Sequence, residues 1–497
     1  MKNSIIIISV LAAIVALVAC QREDFSTNPD LKLQFSTDTV SFDTVFTTIG
    51  ATTHILKVYN RNDKPLKISR IHLENGANSF FKINVDGTGA ANQQFADVEI
   101  LAHDSIFIFL TVKIDPANQN NPILIDDKVI FSYNNNTQSV VLEAIGQDVE
   151  LLRNFVVARD TTFSADKPYL IYDTLYIEQN ATLTIPAGVR MYFHKSAAIV
   201  AAGSIHALGT REKPILMRGD RLDNINFSDV PLPYNFVSGQ WGGIFILGEA
   251  TENIFKNVFI NSSEVGIFIY NENIDAEQMP YLQIENCKLT NFTFYGLFVF
   301  NANVTALNTE ISNTGTYTLF LNGGTHTFVH STIANFYGAN QPSTREKETV
   351  AALINDTEKI TINGQEIQIS RSVTNFYNSV IMGSMETELE VITKEPEIYI
   401  GRFENNFIRR KEVYNYDNYL NNSWYGESDK VFANSDFKWT KDEKITCDFR
   451  LDSVSPARNI ADITFVNLYN LQFDIYGNPR TADGKPDAGA YEWQEAQ

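Results

Sequence analysis

Between residues 33 and 148, apolar and polar side chains alternate over short runs. The stretches 54–60 (HILKVYN), 66–73 (LKISRIHL), 79–85 (SFFKINV), 105–114 (SIFIFLTVKI), 127–133 (DKVIFSY) and 138–146 (QSVVLEAIG) alternate or run apolar. That is the pattern of half-buried strands. Asn, Asp, Gly and Pro fill the gaps, as turns require. Short strands at this spacing predict a small antiparallel β-sandwich over 33–148.

From about residue 149 the apolar runs recur with a fixed step. Asn286 and Asn291, Asn308 and Asn313, and His330 and Asn335 follow one another at 22-residue intervals. The strand after each pair keeps its register, with Gly296, Leu297 and Phe298 mapping to Thr318, Leu319 and Phe320. Asn261, Gly266 and Phe268 fit one coil earlier once 271–281 is set aside as an inserted loop. Such a repeat predicts stacked coils, because one coil cannot bury its apolar strand alone. Asn at a fixed turn position tolerates left-handed backbone, and its amide can bond to the coils above and below. The predicted fold is all-β: a parallel β-helix over 149–400, preceded by the sandwich. A charged second insertion, 341–370, is expected to loop out or cover a face. Residues 401–497 hold the last coils and an end cap, since an open parallel stack exposes unpaired edge groups.

Alternation inside the coils separates two sets of side chains. Ile267, Ile269, Leu297, Val299, Leu319 and Leu321 form one set, and Phe268, Tyr270, Phe298, Phe300 and Phe320 the other. The second set shares its phase with Glu264 and Thr316, so it is expected to point outward. Those five aromatics are candidate ligand-binding residues for a glycan or a protein, as an exposed apolar stripe marks a contact surface. The competing and simpler expectation is that 341–370 or the sandwich covers them.

Composition narrows the partners. With 39 Lys and Arg against 59 Asp and Glu, net charge is −20, which repels phosphate backbones and anionic headgroups. Nucleic acid is therefore not an expected partner. Three cysteines in 497 residues are too few for a disulfide framework. Cys287 and Cys447 lie in apolar-alternating runs and read as small core residues. No CxxC or HExxH pattern occurs, so no metal site and no cofactor are implied.

At the N-terminus, Lys2 precedes an uncharged run from Ile5 to Ala19, too short to span a bilayer and shaped as an export signal. Its end, Leu17-Val18-Ala19-Cys20, resembles a bacterial lipobox. The resemblance implies removal of residues 1–19, acylation of Cys20 and a membrane anchor through that lipid. Residues 20–32 read as a tether. Glu23-Asp24 is similar to the signal that sends lipoproteins of the Bacteroidota to the cell surface. An outer-membrane lipoprotein facing outward is expected, a periplasm-facing one being the alternative. Thr39, Thr44, Ser105, Thr161, Thr174 and Ser453 each follow an Asp in tripeptides that resemble the O-glycosylation motif of exported Bacteroidota proteins.

Further resemblances concern the folded units. Val58-Tyr59-Asn60 through Pro65-Leu66-Lys67-Ile68, with a closing Ile145-Gly146, resembles immunoglobulin-like domains of the Hydin type, generally spacers or interaction modules. Leu183-Thr184-Ile185-Pro186-Ala187-Gly188, Gly203 to Thr210 and Gly239-Gln240-Trp241-Gly242-Gly243-Ile244 resemble coils of right-handed, pectin-lyase-like parallel β-helices. Leu451 to Ala457, Asp474 to Arg480 and Asp487-Ala488-Gly489-Ala490-Tyr491-Glu492 are similar to the ending of many extracellular bacterial β-helix proteins.

Many such β-helices are polysaccharide lyases or glycoside hydrolases, which rely on basic residues with calcium-binding acids or on clustered Asp. From Trp241 to His330 there is no Arg; Lys256 and Lys288 are the basic side chains besides two His, and Asp275 is the one Asp. Among Glu249, Glu264, Glu285 and Glu310 the spacing singles out no pair. His326 and His330, read on one strand face, would lie about 13 Å apart, too far for one metal ion. No catalytic residue is assigned. The sequence points to a binding or structural envelope protein, with a lyase or hydrolase as the alternative.

Overall fold

A computed structural model describes residues 24–47, 49–50, 53–115, 122–272, 279–338, 344–357, 359–362, 365–394, 399–426 and 429–495. Contacts divide the chain into two compact units, Met1–Asp148 and Val149–Gln497. The first packs two five-stranded sheets. One sheet is ordered Gln34–Phe35, His54–Tyr59, Ser105–Val112, Phe81–Val85, Thr88–Gly89. The other is ordered Thr39–Phe46, Asn136–Gln147, Ile123–Tyr133, Leu66–Leu73, Gln94–Ile100. The alternation sorts side chains as expected, with Leu56 and Val58 fully buried between the sheets and Ile55 53% exposed. One pairing departs from an antiparallel sandwich: Thr39–Phe46 runs parallel to Asn136–Gln147. Its partner lies about a hundred residues away, so local pattern carries no trace of it. Asn60 is buried and pins the 60–64 turn, its amide donating to the carbonyls of Lys64 (2.8 Å), Ile100 (3.1 Å) and Leu101 (3.0 Å).

The second unit is a parallel β-helix with three ladders of strands. One coil reads Val258–Asn261, Ile267–Tyr270, Tyr281–Glu285. The next are Lys288–Phe292, Leu297–Phe300, Asn303–Leu307, then Glu310–Thr314, Leu319–Asn322, Gly324–Val329. We call these the first, second and third faces. On the first face Ile260, Leu289, Ile311, Ile333 and Ile381 stack inward in register and are buried. Trp241 is also inside, stacked on Phe193 at 4.1 Å, with its indole N–H satisfied by the Asn261 carbonyl at 2.9 Å.

The corner between the third and first faces needs left-handed backbone, where a Cβ is normally unfavourable. Asn257, Asn286, Asn308, His330, Asn378 and Asn405 occupy it with φ between 48° and 55°. The expected ladder is made there: Asn308 Nδ2 donates to Asn286 Oδ1 at 3.1 Å, and Asn378 Nδ2 lies 2.9 Å from His330 Nε2. His330 thus belongs to the corner and not to a strand. His326, by contrast, takes an inward position in register with Leu282 and Val304, bonded to Thr374 Oγ1 at 2.8 Å. The two histidines do not share a face, because the strand ends at Val329 and the left-handed turn intervenes.

The end of the chain lies elsewhere than expected. Parallel pairing stops at Tyr419–Leu420 and Ser423–Trp424. Residues 429–495 do not cap that end but run back along the first face. Gly489 N donates to Asn378 O (2.8 Å), Ala490 N to Thr332 Oγ1 (2.9 Å), and Trp439 Nε1 to Pro231 O (2.9 Å). The reason is apolar: outward positions of the first face carry Ala334, Val380, Met382 and Phe407. They are buried with Val431, Phe432, Phe449, Leu451 and Tyr491 of the returning segment. The stack end instead gathers the rings of Tyr414, Tyr416, Tyr419 and Trp424.

Candidate functional site

The aromatic stripe forms on the second face as the alternation requires. Phe245, Phe268, Phe298 and Phe320 are in register, and Tyr270 pairs with Phe300. Phe268 and Phe298 stack at 4.2 Å, Phe298 meets Phe320 edge-on at 5.2 Å, and Tyr270 stacks on Phe300 at 5.0 Å. The stripe is not open throughout. Phe300 is fully buried and Phe298 is 7% exposed, with Ile369 closing over both. Ile369 is held there by the next residue, whose amide donates to Asn301 Oδ1 at 2.9 Å. Phe298 and Phe300 are therefore corrected from candidate contact residues to packed ones, since phenyl rings of adjacent coils leave little area exposed once an aliphatic side chain sits on them. Phe268, Tyr270 and Phe320 remain half-buried.

The first face carries a different arrangement. Three excursions converge over it: 234–238, 336–338 and the returning segment 429–495. Between them and the strands lies a cavity of about 200 Å³. Phe236, Phe259, Phe437 and Phe449 supply aromatic wall, and Asn235, Asn261 and Asn313 supply amides. A second cavity of about 380 Å³ adjoins it, lined by Arg211, Pro214, Val258, Phe259, Lys288, Ile475, Tyr476 and Tyr491, with Asn257 and Asn286 behind. Phe259 and Lys288 belong to both walls.

Lys288 is the electrostatic centre. In the outward column of the first face it stands beside Glu310 in register. Its ammonium lies 3.3 Å from Glu310 Oε2, and the Tyr491 hydroxyl donates to the same oxygen. Burial, the largest single influence, would lower the Lys288 pKa, but Glu310, Tyr476 and Asp448 together outweigh it and hold the group above its ordinary value. The Tyr491 hydroxyl, fully buried and beside that carboxylate, is raised well above its ordinary value and stays a donor. Burial pushes Cys447 in the first cavity up to about 11 and Cys287 up to about 12, so both thiols are protonated at neutral pH. Glu310 is the one carboxylate among the described residues lining either cavity.

The spacing rule that reveals the repeat also reveals this pair. Lys288 and Glu310 are 22 residues apart, one coil, and so must be neighbours on adjacent strands. Tyr491 and Arg211 are brought in by long-range docking that no local pattern encodes. The docking is polar as well as apolar. Buried Arg480 lies 3.2 Å from Glu492 and donates to Asn308 Oδ1 at 2.6 Å, tying the C-terminal segment to the Asn ladder. Asp474 and Asp487 accept backbone N–H groups of Tyr476, Asn478, Asn459 and Trp493. The family-like terminal motif is thus a folded clasp, and Asp483 to Asp487 belongs to it.

Cys20 lies outside the described residues. Of the O-glycosylation candidates, Ser453 is exposed and Thr39, Thr44, Ser105, Thr161 and Thr174 are partly exposed. Among the described residues no group of three or more His, Cys, Asp or Glu could hold a metal ion.

Residues 155–287 match the family model of a pectate-lyase like beta helix domain. That match covers most of the first half of the β-helix and ends one residue before Lys288. No curated protein matches the chain. Among solved structures, a family 123 glycoside hydrolase from Clostridium perfringens is similar at 9% identity and a TM-score of 0.17, covering 24% of this chain and 30% of that one. The chain spans less than a third of that structure, and a likeness of this size carries no argument.

Proposed function

We propose that this is a lipid-anchored protein of the cell envelope, surface-exposed, whose β-helix binds a glycan in the cleft over its first face. The observation that carries the proposal is the convergence of three excursions on one face to build a cavity of aromatic rings and amides. Sugar rings present C–H faces that stack on aromatics and hydroxyls that pair with amides, the mixture such sites use. Among the described residues the one carboxylate lining the cleft is bound by Lys288 and Tyr491, so they do not supply the two free carboxyls that hydrolysis needs. Anchoring rests on Leu17 to Cys20, surface display on Glu23-Asp24, and the sandwich acts as an immunoglobulin-like spacer. The second reading, a polysaccharide lyase or hydrolase, is favoured by the pectate-lyase-like match at 155–287.

A glycan array probed with the purified chain tests the proposal. Retention of a defined set of glycans, weakened about tenfold or more when Phe437 is replaced by Ala, is expected for loss of one stacked ring. Retention indifferent to Phe437→Ala, or no retention, contradicts it.

A further inference from the structure

The second cavity differs in chemistry from the first. Its walls are apolar or aromatic: Pro214, Val258, Phe259, Ile475, Tyr476 and Tyr491. Its two amides are engaged in the corner ladder, Asn257 Nδ2 with Gly209 O at 3.1 Å and Asn286 Oδ1 with Asn308 Nδ2 at 3.1 Å. That leaves little to match a ring of hydroxyls. Two cations stand at its edge, Arg211 and Lys288, and no Asp or Glu is among the described lining residues. In a chain of net charge −20 this is a local reversal of sign. Lys288 uses one of its three donors on Glu310. Arg211 holds the Asp474 carbonyl through Nη2 at 3.4 Å, which orients its guanidinium beside Gly477. Of the acids just outside the cavity, Glu310 is held by Lys288 and Tyr491, and Asp448 is bound by Arg450 at 2.5 Å. A volume of about 380 Å³ lies within the range of small-molecule sites.

From this we infer that the second cavity binds an amphipathic organic anion: a compact apolar or aromatic body seated between Ile475, Val258 and the Tyr476 ring, with its carboxylate between Arg211 and Lys288. The apolar body gains from burial against rings and aliphatics, and the carboxylate takes charge-assisted hydrogen bonds from a planar guanidinium and an ammonium. A neutral ligand of the same shape forgoes the second term. A uronic acid forgoes the first, because its hydroxyls would face apolar wall. The site adjoins the proposed glycan cleft and shares Phe259 and Lys288 with it, but its ligand chemistry does not depend on glycan binding there.

Isothermal titration of the purified full chain with 4-phenylbutyrate, 4-phenylbutan-1-ol and glucuronate tests it. Phenylbutyrate is expected to bind saturably at one site, with the alcohol and glucuronate each weaker by about tenfold or more, the worth of one charge-assisted hydrogen bond. Arg211→Gln, a change at an exposed side chain, is expected to weaken phenylbutyrate by about tenfold and leave the alcohol unchanged. Tyr476→Ala, at a residue 56% exposed, is expected to weaken both. Equal affinity for acid and alcohol, no response to Arg211→Gln, tighter binding of glucuronate, or no saturable binding of phenylbutyrate would each overturn the inference.

Discussion

Single side chains in this molecule are set by which position of the coil they occupy. His326 shows this most sharply: it fills an inward position where neighbouring coils place Leu282 and Val304. Burial there drives its pKa down to about 4. The unfolded chain titrates near the ordinary value of about 6.5, so the neutral ring contributes stability above that pH. As pH falls from about 6.5 towards 4, the unfolded state takes up the proton first and the contribution is lost, up to about 3 kcal/mol. His330, also buried, is shifted in the same direction. Thermal unfolding followed from pH 7 to 4.5 is expected to show a falling Tm, with a smaller fall in His326→Gln. An unchanged slope in that variant contradicts the assignment. Arg480 is the other decisive residue. Replacing it by Met removes its hydrogen bonds to Glu492, Asn308 Oδ1 and the Gly489 carbonyl inside the clasp, at a cost of about 1–3 kcal/mol. Denaturant titration measures this, and a loss below about 1 kcal/mol would mean that the clasp does not depend on Arg480. The 22-residue step already puts His330 in the turn column of Asn286 and Asn308, whereas the inward place of His326 is not legible, because it depends on where the strand ends.

Elements obey the alternation more faithfully than their surroundings do. The period of two gives the inward aliphatics and outward aromatics of the second face, and the 22-residue step places Phe298 between Phe268 and Phe320. What covers them is not local. Ile369 arrives from the end of 341–370, the segment expected to cover a face, but its hydrogen-bonded neighbour Ser370 reads as ordinary loop, so which rings it closes over is not written locally. Phe298→Ala is expected to cost about 3 kcal/mol, since the ring is nearly buried, stacked on Phe268 and edge-on to Phe320. A differential scanning experiment checks it, and an unchanged Tm would return the stripe to an open contact surface. Gly324 tests the coil corner. Its φ is 108° and a Cβ would meet the Ala302 carbonyl oxygen at 2.0 Å, so Gly324→Ala is expected to destabilise by about 2 kcal/mol or more. The same limit explains the C-terminal segment. Its motif is plain in the sequence, but its seat on the first face follows from Ala334, Val380 and Met382 needing cover there. A general argument about exposed edges points to the stack end instead.

At the scale of the whole molecule, fold and site differ in how they are written. The all-β architecture and its two units follow from periodicity, which is repeated many times and so survives local exceptions. The cleft on the first face is assembled once, from 234–238, 336–338 and 429–495, and no repeat announces it. Lys288 and Glu310 were within reach through their one-coil spacing, while Tyr491 and Arg211 were not. The proposed lipid anchor belongs to this scale too. Cys20→Ala is expected to move the protein from the membrane fraction to the soluble fraction without changing its glycan retention, as checked by fractionation and array. The central claim is that the cleft binds a glycan and does not cleave it. Its most direct test incubates the chain with the polysaccharides it retains and measures new reducing ends and unsaturated products. Saturable binding with no product above the buffer control is the predicted result. Product release that disappears in Glu310→Gln or Lys288→Met while binding persists would contradict it.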